Sequence, residues 1–120
     1  MAQGIPIRGV FRTEEKAASF TKAFSEADIE VCVVTDITRP GSFDSVLDGI
    51  SAVVHTASPF TFDVKDIQTE LLDPAIKGTT ELMTAVVQRQ NIKRVVLTSS
   101  TAAVGDASKG NRPGYVYTGA

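Results

Sequence analysis

The sequence is poor in the residues that build metal centres, disulfide scaffolds and nucleic-acid surfaces. Its 120 residues include one cysteine, one histidine and no tryptophan. Cys32 therefore cannot form an internal disulfide, and we expect it to lie in the core. His55 has no Cys or His cluster with which to complete a metal site, and it too is expected to be a hydrogen-bonded core residue. The net charge of −2 lacks the basic excess typical of a nucleic-acid-binding domain.

Long apolar runs are also missing. No run approaches the roughly 20 residues that a membrane-spanning helix needs, and residues 1–9 carry no signal-peptide core. Together with the single thiol, these features predict a cytoplasmic protein without a membrane partner. A chain of 120 residues has room for one domain.

Short apolar runs are present, and they alternate with helical patterns. The runs cover residues 5–11, 29–34, 52–55 and 94–99. The last three are rich in Val and Ile, as expected of parallel strands covered on both faces. The alternation predicts an α/β fold with a doubly wound parallel sheet.

Three helices are expected between these strands. The first covers residues 13–24 with Thr13 as its N-cap, and the second is a short helix over 43–50 that Gly49 closes. The third runs from about Pro74 to Gln90, with Ile76, Leu82, Met83, Val86 and Val87 at helical spacing. Pro74 either begins a new helix or kinks a longer one.

Small, polar or charged residues follow every predicted strand. In open parallel sheets ligands bind at the carboxyl ends of the strands. Arg12 and Lys16 could hold a phosphate, or they could be a solvated first helical turn. Asp36 could accept a hydrogen bond from the amino group of a base, or it could cap a turn. Thr56, Ala57 and Ser58 follow the third strand, and Thr98, Ser99 and Ser100 end the fourth run.

Several catalytic motifs are missing from the sequence. There is no GxSxG turn of a hydrolase nucleophile, no GxxxxGK[ST] loop for a nucleoside triphosphate, and no GxGxxG after a strand. A receiver-like phosphoacceptor domain would need clustered acids at the strand ends, and Asp36 has no such cluster. These absences disfavour hydrolase, triphosphatase and receiver functions.

Three linked segments carry a resemblance to a known family. They are VVHTASPF (53–60), DPAIKGTTELMTAV (73–86) and KRVVLTSSTAAV (93–104). In order and spacing they resemble the extended short-chain dehydrogenases/reductases, and among these the NADPH-dependent carbonyl reductases of the dihydroflavonol, cinnamoyl-CoA and methylglyoxal type. The resemblance implies an oxidoreductase that reduces a small-molecule ketone or aldehyde to an alcohol with NADPH.

The resemblance also implies roles for individual residues. It gives Ser100 the catalytic position, where the hydroxyl bonds the substrate carbonyl. It gives ten other residues a cofactor-binding role. Arg12 and Lys16 would bind the 2′-phosphate, and Asp36 and Ile37 the adenine. Thr56, Ala57 and Ser58 would lie below the nicotinamide ribose and pyrophosphate, with Thr79, Thr98 and Ser99 beside them.

The sequence departs from the family in two motifs. The family has a TGxxGxxG turn after its first strand and a YxxxK pair that supplies the proton, and neither occurs here; Tyr117 has no lysine four positions on. The resemblance therefore implies an internal fragment. Residues 1–106 form a partial Rossmann domain, without the first βα unit and the C-terminal substrate domain, and residues 107–120 form a truncated loop.

The missing unit has a structural consequence. In the sheet order 3-2-1-4-5 the absent strand is the central one. We therefore expect two separate strand pairs, marginal stability, and self-association through unpaired strand edges. The alternative function is a non-catalytic α/β remnant or protein-interaction module with at most residual dinucleotide binding.

Overall fold

The structure, a computed structural model, describes residues 4–59, 65–105, 107–110 and 112–116. Tyr117 lies outside them. Strands and helices alternate along the chain, which confirms the predicted α/β class. The elements are β1 (Ile7–Phe11), α1 (Glu14–Ala23), β2 (Ile29–Val33), β3 (Ala52–His55), α2 (Asp73–Val87), β4 (Arg94–Leu97), α3 (Thr101–Val104) and a 3-10 turn (Ala107–Lys109).

The strands form two parallel pairs. β1 pairs with β2, with Ile7 opposite Ile29, and β3 pairs with β4, with Ala52 opposite Arg94. Within the described residues these are two separate two-stranded sheets. This is the predicted pairing, in which no central strand joins β1 to β3.

Helix α1 begins as predicted and packs on the first strand pair. Thr13 has extended backbone angles, and its hydroxyl oxygen accepts a hydrogen bond from the Lys16 N–H at 3.3 Å. This caps one of the free amides of the first turn. Ala17 is buried, and the Phe20 ring centroid lies 4.9 Å from that of Phe11 in β1. The contact fixes α1 beside the end of β1.

A π-helical turn, Gln68–Leu72, directly precedes helix α2, so helical structure is continuous from Gln68 to Val87. The Asp73 N–H donates to the Gln68 carbonyl, five residues back. Pro74 follows and has no N–H, so it cannot extend this wider ladder. Pro74 lies in the first turn of α2, which begins at Asp73, so the first of the two alternatives, a proline that begins a new helix, describes it.

The predicted short helix over 43–50 is wrong, because the segment is a run of turns. Two arginines bond carbonyls of this segment. Arg89 donates to the Asp44 carbonyl at 2.8 Å, and Arg8 donates to the carbonyls of Val46 at 2.9 Å and Asp48 at 2.8 Å. The carbonyls of Asp44 and Val46, which a helix over 43–50 would use internally, are thus bonded by side chains from distant parts of the chain.

The core joins the two strand pairs through α2. Its buried members are Val34, Phe43, Val46, Leu47, Leu82, Ala85 and Val86. Half-buried Cys32 of β2 packs against them, as do Val53 of β3 and Val95 of β4. The buried stripe of α2 differs from the predicted one, since Ile76 and Val87 are 62% and 76% exposed and Gly78 and Ala85 are buried.

Candidate functional site

The carboxyl ends of β1 and β2 lie side by side. Phe11 pairs with Val33, and the Val34 N–H donates to the Phe11 carbonyl at 2.8 Å. Arg12 and Asp36, the first charged residues after each strand, are therefore brought to one edge, and both are exposed. Lys16 lies in the first turns of α1, close in sequence to Arg12, and is also exposed.

Asp36 closes a tight turn after β2. Its Oδ1 accepts hydrogen bonds from the Thr38 N–H at 2.9 Å and from the Thr38 hydroxyl at 2.7 Å. These bonds lower the pKa of Asp36, and the charges of Arg12 and Arg39 lower it further. Asp36 therefore does cap a turn. In the described part of the chain no hydrogen bond reaches its Oδ2, so one carboxylate oxygen remains available to a ligand.

The turn after β2 is packed against α2. Ile37 is half-buried, and a Cβ placed on Gly78 would lie only 2.6 Å from its Cδ1. Thr79, the next residue of α2, is also half-buried. The structure thus gathers Arg12, Asp36, Ile37 and Thr79 into one region.

The second group of predicted residues lies at the ends of β3 and β4. The Thr98 N–H donates to the His55 carbonyl at 3.0 Å, which continues the strand ladder by one bond. Segments 56–58 and 98–100 therefore leave the sheet from neighbouring strands, and all six residues are exposed. The Ala103 N–H donates to the Ser100 carbonyl at 3.0 Å, so Ser100 stands directly before α3.

His55 at the end of β3 is half-buried. Its Nε2 is enclosed and has no hydrogen-bond partner among the residues described here, which differs from the hydrogen-bonded core residue expected from the sequence. Burial lowers the pKa of the imidazole. Burial thus favours the neutral form of His55.

In the ranges that the structure covers, no three His, Cys, Asp or Glu residues are grouped to hold a metal ion. No helix in those ranges is long and apolar enough to cross a membrane. An open depression of about 520 Å³ runs along α1, lined by Thr13, Glu15, Lys16, Ser19 and Phe20. It shares only Lys16 with the predicted site.

Sequence reasoning missed two residues that shape the site. Thr38 holds Asp36 through two hydrogen bonds, and its signal is the Asp-x-Thr spacing that favours an Asx turn. Gly78 allows α2 to approach Ile37, and its signal is a glycine inside a helical pattern.

Comparison with known proteins identifies relatives of one kind. The chain is 49% identical over 81 residues to a cinnamoyl-CoA reductase of Medicago truncatula, covering 68% of this chain and 25% of the relative. A reductase engineered against substrate inhibition has a solved structure with a TM-score of 0.85 and 34% identity, covering 96% of this chain and 36% of that one. The yeast methylglyoxal/isovaleraldehyde reductase, solved with NADPH, has a TM-score of 0.77 and 39% identity, covering 84% and 32%.

These matches identify the fold and show that this chain contains only part of it. The likeness to the engineered reductase extends over both strand pairs, so their placement is that of a Rossmann-fold reductase. The chain spans only 25% to 36% of the length of these three proteins. The profile of the 3-beta hydroxysteroid dehydrogenase/isomerase family matches residues 9–113. The chain therefore belongs to this family of extended short-chain dehydrogenases/reductases.

Proposed function

We propose that this chain is the part of an NADPH-dependent carbonyl reductase that holds the adenosine 2′-phosphate end of the cofactor and presents a serine to the substrate carbonyl. The observation that supports it most is the edge of β1 and β2. There the exposed Arg12 lies near the closed turn of Asp36, whose Oδ2 is available. A cation beside a hydrogen-bond acceptor suits a phosphorylated adenosine.

At this edge each residue has a distinct task. The guanidinium of Arg12 offers a planar set of donors to the 2′-phosphate, and the ammonium of Lys16 adds positive charge. Asp36 accepts a hydrogen bond from the adenine amino group through Oδ2, and Ile37 borders the ring. Thr79 packs beside the cofactor from α2. The cofactor would supply hydride when bound.

At the other edge the hydroxyl groups face the reacting end. We assign Ser100 the role of donating a hydrogen bond to the substrate carbonyl oxygen, which polarises the carbonyl and orients it. Thr56, Ala57 and Ser58, with Thr98 and Ser99, border the nicotinamide ribose and pyrophosphate. The 120 residues contain no YxxxK pair and no glycine-rich turn. We therefore propose that the chain on its own does not reduce carbonyl compounds.

A graft tests these roles. The chain replaces the corresponding third of the yeast methylglyoxal reductase, and NADPH consumption is followed with methylglyoxal. We expect the graft to be active, the 120-residue chain alone to be inactive, and Ser100→Ala in the graft to lower kcat roughly 10²–10⁴-fold. Ser45→Ala, on an exposed turn, serves as the control. Full activity of the Ser100→Ala graft, or ketone-dependent NADPH oxidation by the chain alone, would contradict the proposal.

The unpaired strand edges support a second property, self-association. Val10 of β1 is 41% exposed and Val54 of β3 is 66% exposed, and exposed edges and faces of short sheets favour pairing with another chain. Sedimentation should show concentration-dependent oligomers. A monomeric chain with a cooperative thermal transition well above room temperature would contradict both this property and the marginal stability expected from the sequence. The cytoplasmic location and the lack of nucleic-acid binding stay predictions.

A further inference from the structure

Gly78 lies in α2 at a position where helix propensity alone would favour a residue with a side chain. It lies within the helix Asp73–Val87, where glycine is less favourable than alanine because it loses more backbone entropy on folding. Its φ angle is not in the left-handed region, so the backbone conformation does not demand glycine. The reason for glycine at this position must come from its surroundings.

The surroundings of Gly78 are the side chain of Ile37. A Cβ at this position would lie 2.6 Å from Ile37 Cδ1 and 2.9 Å from Ile37 Cγ1. Carbon atoms in van der Waals contact lie about 3.5–4.0 Å apart. Rotation about χ2 could move Cδ1 away, but the approach to Cγ1 requires a change of χ1 or of the backbone. The missing side chain therefore lets Ile37 lie directly against α2.

The position of Ile37 is linked to that of Asp36. The two hydrogen bonds from Thr38 to Asp36 Oδ1, at 2.9 and 2.7 Å, close the turn around Ile37. A turn closed in this way moves as a unit, so a displacement of Ile37 is transmitted to the Asp36 carboxylate. The contact between Gly78 and Ile37 thus sets the distance between this turn and α2.

We propose that Gly78 is a positioning residue for the adenine subsite, acting through Ile37 on the carboxylate of Asp36. The inference rests on the proposed function, since it assumes that this turn receives the adenine. It also makes a specific claim about direction: the effect is confined to the edge of β1 and β2. The segments 56–58 and 98–100 belong to the other strand pair and do not depend on this turn.

Two half-cofactor probes test the claim on the purified chain. Adenosine 2′,5′-bisphosphate reports on the first edge, and reduced nicotinamide mononucleotide reports on the second. We expect Gly78→Ala to weaken the bisphosphate by at least about tenfold, the loss that follows when one hydrogen bond to a charged group is disturbed. Binding of the mononucleotide should stay within about twofold, well below the tenfold that 1.4 kcal/mol represents.

A rescue variant separates positioning from a general effect on folding. Ile37→Ala removes both Cδ1 and Cγ1 and leaves the Cβ of residue 37 at 3.8 Å from the added Cβ, an ordinary contact distance. Gly78→Ala/Ile37→Ala should therefore bind the bisphosphate more tightly than Gly78→Ala. Thermal unfolding is measured on every variant, because a merely structural role would shift Tm without a selective change in the two affinities. Should Gly78→Ala fail to fold, Ile37→Ala is compared with the double variant. Both lack the isoleucine contact with the ring, so tighter bisphosphate binding by the double variant reports on support of the turn by α2, and equal binding would overturn the positioning role.

The possible results distinguish the two claims. Unchanged bisphosphate affinity in Gly78→Ala, equal weakening of both probes, or no rescue by Ile37→Ala would overturn the positioning role while leaving the proposed function intact. Failure of the unchanged chain to bind the bisphosphate would overturn the proposed function and this inference with it. Selective loss with rescue supports both.

Discussion

Truncation of Leu82 tests how the two strand pairs are held together. Leu82 is 2% exposed and belongs to the buried core cluster. This cluster includes Val34, which follows β2, and Val53 and Val95 of the other strand pair pack against it. Within the described residues no backbone ladder connects the pairs. We therefore expect their cohesion to depend on this core, and Leu82→Ala to destabilise the whole chain rather than one pair.

The expected cost follows from the burial of the side chain. Replacement of a fully buried Leu by Ala typically costs about 2–5 kcal/mol, which includes the cavity left behind. That is a large share of the roughly 5–15 kcal/mol that stabilises an ordinary domain. Val87 on the same helix is 76% exposed, so Val87→Ala should change the free energy of unfolding by no more than about 0.5 kcal/mol. Leu82→Met keeps the volume and should cost less than about 1.5 kcal/mol.

Urea denaturation followed by circular dichroism measures these differences. With a slope of about 2 kcal/mol per molar urea, a loss of about 2–5 kcal/mol should lower the Leu82→Ala midpoint by roughly 1–2.5 M, or leave the chain unfolded without urea. The order of stability should be Val87→Ala, then Leu82→Met, then Leu82→Ala. A Leu82→Ala midpoint equal to that of Val87→Ala would refute the reasoning, since the core would then not join the pairs.

Two further predictions concern the hydrogen bonds of Arg89 and the half-buried imidazole of His55. Arg89 is 17% exposed, and its guanidinium donates to the carbonyls of Ala85 and Asp44, both at 2.8 Å. A lysine cannot reach both carbonyls with a planar set of donors, so Arg89→Lys should lower the free energy of unfolding by about 1–3 kcal/mol in urea denaturation. An unchanged midpoint would argue against this role of Arg89. The pKa of His55 is lowered from 6.5 by burial, so below that pH the unfolded chain binds a proton that the folded chain resists. Stability should be full above pH 6.5 and fall as the pH drops below it. His55→Asn should flatten this part of the Tm profile, and identical profiles would contradict the assignment.

Much of the fold could be predicted because its signals are local. Val- and Ile-rich runs marked β2, β3 and β4, and Thr13 before two glutamates marked the start of α1. The short helix over 43–50 failed for a physical reason. Its local pattern favours a helix, but Arg8 and Arg89, 38 and 45 positions away, bind its carbonyls. No spacing within the segment carries that information.

The sequence predicts residues for the candidate site but not their packing, and their roles stay predictions. The resemblance assigned Arg12 and Asp36 to a common site, and the register of β1 and β2 brings their strand ends to one edge. The open Oδ2 of Asp36 depends on how Thr38 satisfies the other oxygen. The approach of Gly78 to Ile37 depends on the path of α2 across the core. Such contacts form between distant parts of the chain, so the sequence shows them only as an unexplained glycine and an Asp-x-Thr spacing.

The central claim is that this chain holds the 2′-phosphate end of NADPH, and paired titrations test it most directly. NADPH and NADH fluorescence is measured on the unchanged chain, on Arg12→Ala, and on Arg94→Ala, an exposed arginine at the opposite end of the strands. We predict saturable binding with NADPH preferred, a loss of about 10–100-fold in NADPH affinity for Arg12→Ala only, and little change for NADH. Equal affinity of the unchanged chain for the two cofactors, or a preference that survives Arg12→Ala, would contradict the account.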